Sequence, residues 1–132
     1  KEELLKNADH VVLVVPYTPA SHHTIGAVEL ALMKPTATLV NIARGGIVDD
    51  AALAAALRDK RIAAAGLDVF EHEPAVPPKL AKLAKAGKVT LLPHLGSATI
   101  EGRLDMGEKV IINIKTFMDG HRPPDRVLPS ML

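Results

Sequence analysis

The chain has 132 residues, 48% of them hydrophobic, and contains neither cysteine nor tryptophan; that is enough for one core, and it excludes a disulfide scaffold, a thiolate metal site and a cysteine nucleophile. Sixteen Lys and Arg balance fifteen Asp and Glu, and aromatics make up 2%, so the basic field and stacking surfaces that nucleic-acid binding draws on are missing. The apolar run Val11 to Pro16 falls far short of the roughly 20 residues of a membrane-spanning helix. No signal peptide is read at the start, and the lack of cysteine fits a reducing cytoplasm, the expected location.

KEELLKNA, residues 1–8, is polar and amphipathic with no capping residue before it. It reads as the last turns of a helix already under way, so the chain is expected to begin mid-domain. His10 leads into VVLVVP, a β-branched run that predicts a strand covered on both faces of a parallel sheet and stopped by Pro16. YTPASHHTIG is turn material, a short helix follows around Val28 to Met33, and Lys34-Pro35 stops it. The second strand is expected from Thr38 to Ile42.

LVNIARGGIVDD, Leu39 to Asp50, organises the rest. It reads as a buried strand (Leu39, Val40, Ile42), a polar turn holding Arg44 and two glycines, and a helix capped by Asp49-Asp50 that runs to about Arg58. AAAGLDVF, Ala63 to Phe70, is the third strand, and EHEPAVPP is a loop. Lys79 to Ala86 is a short helix closed by Gly87, and Val89 to Leu92 is the fourth strand, ended by Pro93. Ile100, Leu104, Gly107, Ile111, Ile114 and Met118 then form one stripe along a helix within 98–118, capped by Ser97 or Thr99. The tail GHRPPDRVLPSML shows no periodicity, and its Val127, Leu128 and Leu132 suggest a segment that docks on something else. Strands alternating with helices predict an α/β fold, a Rossmann-like parallel sheet with helices on both faces.

This placement gathers the reactive side chains. Arg44 follows the second strand, Asp68 and Glu73 lie at and after the end of the third, and His94 follows the fourth, all on one sheet edge, where ligands bind in open parallel sheets. Gly45 and Gly46 let the backbone approach a ligand while Arg44 offers a planar fork matched to a carboxylate. A carboxylate beside His94 favours the imidazolium and orients the ring, so Glu73 and His94 can hold and deliver a proton. Arg44 then anchors an acid and polarises its neighbouring carbonyl, and His94 protonates the carbonyl oxygen. The hydride this chemistry needs has no side-chain source, which calls for a nicotinamide cofactor. His22-His23 are expected to point apart in a solvated turn, so no metal is assigned. Asp49-Asp50 reads as a helix cap rather than a catalytic dyad, and Gly102 to Lys109 lacks the G-K-[ST] ending of a phosphate loop.

With LVNIARGGIVDD, GLDVFEHEP and LLPHLGSAT in this order, the chain resembles the D-isomer-specific 2-hydroxyacid dehydrogenases, in particular glyoxylate/hydroxypyruvate and 2-ketogluconate reductase-like members. The resemblance covers essentially the whole chain. It implies that Arg44 binds the substrate carboxylate and carbonyl, Glu73 supports the histidine and His94 is the acid/base. It further implies NAD or NADP as cofactor. Asp68 would contact the nicotinamide carboxamide, Pro16 and Thr18 the adenosine half, and Ala43 and Gly96 would offer backbone contacts, with Arg44 and His94 also reaching the cofactor. The family's G-x-G-x-x-G loop and the residue that chooses NAD or NADP are expected before Lys1. Residues 1–118 are accordingly read as the C-terminal half of the cofactor domain and 119–132 as a tail that docks on a substrate domain. A small 2-keto or 2-hydroxy acid is the expected partner, with a homodimer as the assembly and no nucleic acid or membrane. A non-catalytic dinucleotide sensor of the same fold is the competing reading.

Overall fold

The computed structural model describes residues 1–128 and Met131 and divides into two compact units, Lys1–Gly96 and Ser97–Leu132. In the first unit the order is α1 (Glu2–Asn7), β1 (His10–Leu13), a 3₁₀ turn (Pro19–Ser21), α2 (Ala27–Leu32), β2 (Thr38–Asn41), α3 (Asp50–Arg58), β3 (Ala64–Leu67), α4 (Pro78–Lys85) and β4 (Val89–Leu91). The strands form one sheet in the order β1-β2-β3-β4, every pair parallel. All four therefore end on the same edge.

The register explains the core. Val11, Leu39, Ala65 and Val89 stand in one row across the sheet, and Leu13, Asn41, Leu67 and Leu91 in the next row on the same face. The rows between them carry Val12, Val40, Gly66 and Thr90 on the opposite face, because successive strand residues point to opposite sides. The first face is buried with Leu5, Leu30, Leu53, Leu57 and Leu80 in one cluster, and α1 to α4 pack each against the next. The VVLVV run thus differs from expectation: β1 alternates exposed and buried, with Val12 51% exposed. Apolar sequence alone cannot tell a doubly covered strand from a singly covered one.

Each strand is also shorter than its apolar run. Val14, Val15, Ile42 and Leu92 fall beyond the ladders and are exposed, since the chain leaves the sheet there to form the loops of the carboxyl edge. Ile42, expected in the buried strand, is the clearest case. Helix starts follow local chemistry. Asp49 caps α3 by accepting from the Ala52 N–H at 2.9 Å, and Pro78 opens α4 at a position that needs no N–H.

In the second unit α5 spans Ile100–Met118, capped by the Thr99 hydroxyl, which accepts from Gly102 N at 3.0 Å. None of its residues is buried, and its apolar stripe includes Ile111 and Met118 at 66% and 79% exposure. The tail, read from sequence as aperiodic, turns back along α5. Asn113 donates to the Asp125 carboxylate at 2.8 Å and accepts from the Asp125 N–H at 3.0 Å, and Lys109 lies 3.5 Å from the same carboxylate. Leu132 lies outside the described residues. No helix among the described residues is long and apolar enough to cross a membrane.

Candidate active site

The loops leaving the four strands enclose a cleft of about 1050 Å³. Val14 to Tyr17 come from β1, Ile42 to Gly46 from β2, Phe70 to Glu73 from β3 and His94 from β4, with His22 closing one end. Arg44, Glu73 and His94 thus line one cavity. Asp68, Thr18 and Gly96 are not among its lining residues.

Arg44 sits on a turn built by Asn41. That side chain is 1% exposed; its Oδ1 accepts from Ala43 N at 3.1 Å and its Nδ2 donates to the Arg44 carbonyl at 2.9 Å. A buried amide is stable only when its polar atoms are paired, and here the pairing forces the chain out of the strand into the cleft. Gly46 continues the turn at φ +81°, under the Tyr17 ring. Arg44 itself is exposed and donates to the Ala43 carbonyl at 2.7 Å. Among the described residues no carboxylate lies within ion-pair distance of its guanidinium, so its remaining donors are free for a ligand. Asn41 was not singled out from the sequence. An amide closing an apolar strand beside an arginine is the signal that could have found it.

Glu73 and His94 form a tight pair. Glu73 Oε1 accepts from Phe70 N at 2.9 Å, and Oε2 lies 2.8 Å from His94 Nδ1. An ionised carboxylate only accepts, so Nδ1 carries the proton and Nε2 is left for a ligand. His94 adopts φ +57°, a left-handed conformation that costs a non-glycine residue about 1 kcal/mol. Its N–H donates to the Asp68 carbonyl at 3.0 Å, which holds it there.

Asp68, 7% exposed, ties the β3 and β4 exits together. Its Oδ1 accepts from Leu95 N at 2.7 Å. Among the described residues no donor reaches Oδ2, and that oxygen is not sealed from solvent. A free acceptor of this kind suits an amide N–H, so the residues present fit the carboxamide end of a nicotinamide. Thr18 has a local job: its hydroxyl accepts from Ser21 N at 3.2 Å, and its own N–H donates to Ser21 Oγ at 2.7 Å, a capping box on the 3₁₀ turn that follows Pro16 and Tyr17.

The His22-His23 expectation is corrected. The rings stack with centroids 3.8 Å apart and planes at 21°. His23 takes φ +48°, and each ring finds its own partner. His22 Nδ1 lies 3.1 Å from the Tyr17 hydroxyl, and His23 Nε2 lies 2.7 Å from Glu71 Oε1. Asp50, read from sequence as part of the cap, is 6% exposed and accepts from Glu71 N at 2.8 Å. Burial, reinforced by the charges of Glu71 and Asp49, pushes its carboxyl up to about 6 against the opposing Glu71 N–H.

A parallel α/β sheet with an arginine, a carboxylate-bound histidine and a buried aspartate at its carboxyl edge defines a dinucleotide-type fold. Residues 1–96 match the family model of the D-isomer specific 2-hydroxyacid dehydrogenase NAD-binding domain, and the chain belongs to that family. It is 53% identical over 126 residues to the glyoxylate reductase of Thermococcus gammatolerans, which covers 96% of this chain and 37% of that protein. The D-lactate dehydrogenase of Lactobacillus jensenii, solved with NAD+, superposes with a TM-score of 0.90 at 34% identity, over 96% of this chain and 42% of that one. The NADPH-dependent glyoxylate/hydroxypyruvate reductase of Sinorhizobium meliloti, solved with NADP and malonate, gives 0.89 at 36% identity, over 96% and 39%. The chain therefore spans about two fifths of the length of the relatives it matches.

Proposed function

We propose that this chain is the part of a cofactor domain that carries the acid/base residues of a reductase. The substrate is a small 2-keto acid of the glyoxylate, hydroxypyruvate or 2-ketogluconate kind, and the product is the D-2-hydroxy acid. The observation that carries the reading is the shared cleft, lined both by an arginine that has no carboxylate partner among the described residues and by a histidine already bound to one. Glyoxylate reductases among the relatives and dinucleotide-bound structural neighbours support it.

Arg44 binds the substrate carboxylate through its fork and polarises the adjacent carbonyl. His94, as imidazolium, donates its Nε2 proton to the carbonyl oxygen and is left as the neutral Nδ1–H form bonded to Glu73. Glu73 stabilises the imidazolium and fixes the ring. When bound, NADH or NADPH supplies the hydride that reduces the carbonyl carbon. Asp68 would accept from the carboxamide, Pro16 and Thr18 would hold the adenosine half, and the Ala43 and Gly96 backbones would complete the contact. Residues 1–118 form the C-terminal half of the cofactor domain, and 119–132 dock on a substrate domain. The protein is cytoplasmic and homodimeric, with no nucleic-acid or membrane partner.

The test is oxidation of NADH and NADPH by the full-length protein with hydroxypyruvate, glyoxylate and 2-ketogluconate, beside Arg44→Ala. Turnover lowered by several orders of magnitude in the variant supports the reading, because the anchor acts at the reacting centre. Dinucleotide binding without turnover of any keto acid overturns it in favour of a sensor.

A further inference from the structure

The turn that carries Glu73 is held from outside itself. Its Phe70 carbonyl packs on Gly45, its Glu71 side chain is bound by His23, and its Glu71 N–H donates to Asp50, 21 residues earlier in the chain. Asp50 is the unexpected member. The cap of α3 is already made by Asp49, so helix initiation does not account for a second acid at this position. A carboxylate at 6% exposure is destabilising unless a donor compensates, and the donor it finds is on the Glu73 turn. That turn then supplies the first two members of a chain of hydrogen bonds that ends on His94: Phe70 N fixes Glu73 Oε1, and Glu73 Oε2 fixes His94 Nδ1.

We infer that Asp50 is a positioning residue for the reaction: through the Glu71 N–H it sets the Phe70–Glu73 turn, and so the place at which Glu73 presents its carboxylate to His94. This inference rests on the reductase reading for its kinetic consequence and on geometry alone for its structural one. Asp50 does not line the cleft. Removing its oxygen frees the turn to shift, and displacements of about 1 Å at such supports lower rates by about a hundredfold. Asp50 hydrogen-bonds to none of Pro16, Thr18, Ala43, Asp68 and Gly96, the proposed dinucleotide contacts, so dinucleotide affinity changes less than kcat.

The experiment compares Asp50→Ala and Asp50→Asn in the full-length protein. It reads kcat with hydroxypyruvate and NADH, NADH affinity by fluorescence, and the imidazole nitrogen-15 shifts of His94. In Asp50→Ala, kcat falls about ten- to hundredfold while NADH affinity stays within about threefold, and the His94 signals move from the Nδ1–H form toward a tautomer mixture. Asp50→Asn keeps an acceptor oxygen for Glu71 N–H, so kcat returns to within about threefold of wild type and the His94 signals with it. If Asp50→Ala does not fold, Asp50→Ser, polar but too short to reach, is read in its place. A folded Asp50→Ala or Asp50→Ser protein with wild-type kcat and unchanged His94 signals overturns the inference, as does loss of NADH affinity equal to the loss of kcat. A wild-type protein without turnover defeats the reductase reading instead, and the nitrogen-15 signals then decide the positioning relation by themselves.

Discussion

Gly45 packs against the main chain of Phe70 so closely that a Cβ on it would stand 2.6 Å from the Phe70 carbonyl carbon and overlap its oxygen. The Arg44 turn and the Glu73 turn therefore interlock through backbone, with no side chain between them. Gly45→Ala must push one turn off the other, since backbone cannot yield as a flexible side chain does. The expected loss is about 1–3 kcal/mol of stability, in the range of overpacked sites. Chemical denaturation measures it, and keto acid turnover should fall with it. A variant of wild-type stability would show that the turns separate freely.

Asn41 pairs both ends of its amide within the Arg44 turn while buried. In Asn41→Ala the Ala43 N–H and the Arg44 carbonyl lose these partners, at a cost of about 1–3 kcal/mol. Arg44 remains present but unplaced. The expected kinetic mark is a raised KM for the keto acid together with a lowered kcat, measured by steady-state kinetics. An effect on stability with neither parameter changed would separate the turn from the site.

Glu73→Gln keeps the size of the side chain and an oxygen for Phe70 N, but removes the charge facing His94. Positioned acid/base catalysis contributes about a hundred- to ten-thousandfold, and losing the stabilised imidazolium should remove about tenfold or more of it. His94→Gln, which has no proton of comparable acidity to give, should be worse. Dinucleotide binding measured by fluorescence should be close to wild type in Glu73→Gln. Equal turnover of Glu73→Gln and wild type would dismiss the pair as machinery.

Burial raises the Asp50 carboxyl from its ordinary 3.8 to about 6. Between these values the folded protein holds a proton that the unfolded chain has lost, so the Asp50 contribution to stability declines as pH rises through the window and is flat above it. The full difference is on the order of 3 kcal/mol. Asp50→Asn removes the titration, so its advantage over wild type should be absent near about pH 4, grow to about pH 6 and level off beyond. Melting curves of the two proteins across this range measure the difference, in which the exposed acids common to both cancel. A difference independent of pH would mean that Asp50 titrates as an exposed acid does.

Much of this protein was legible in the order of its residues. Alternating apolar runs and caps mark four strands and their helices, and Asp49, Thr99 and Gly87 act locally, through bonds or backbone conformations that involve only near neighbours. Because parallel strands must end on one edge, placing Arg44, Glu73 and His94 after successive strands was enough to bring them to one cleft. What the tertiary structure alone decided depends on atoms distant in sequence. The single covered face of β1 follows from which neighbours pack on the sheet. The stacked His22-His23 pair depends on Glu71, 48 residues after His23, and the buried Asp50 on an N–H 21 residues away. No periodicity or residue type encodes such a partner, since burial and its electrostatic cost exist only after the chain has folded.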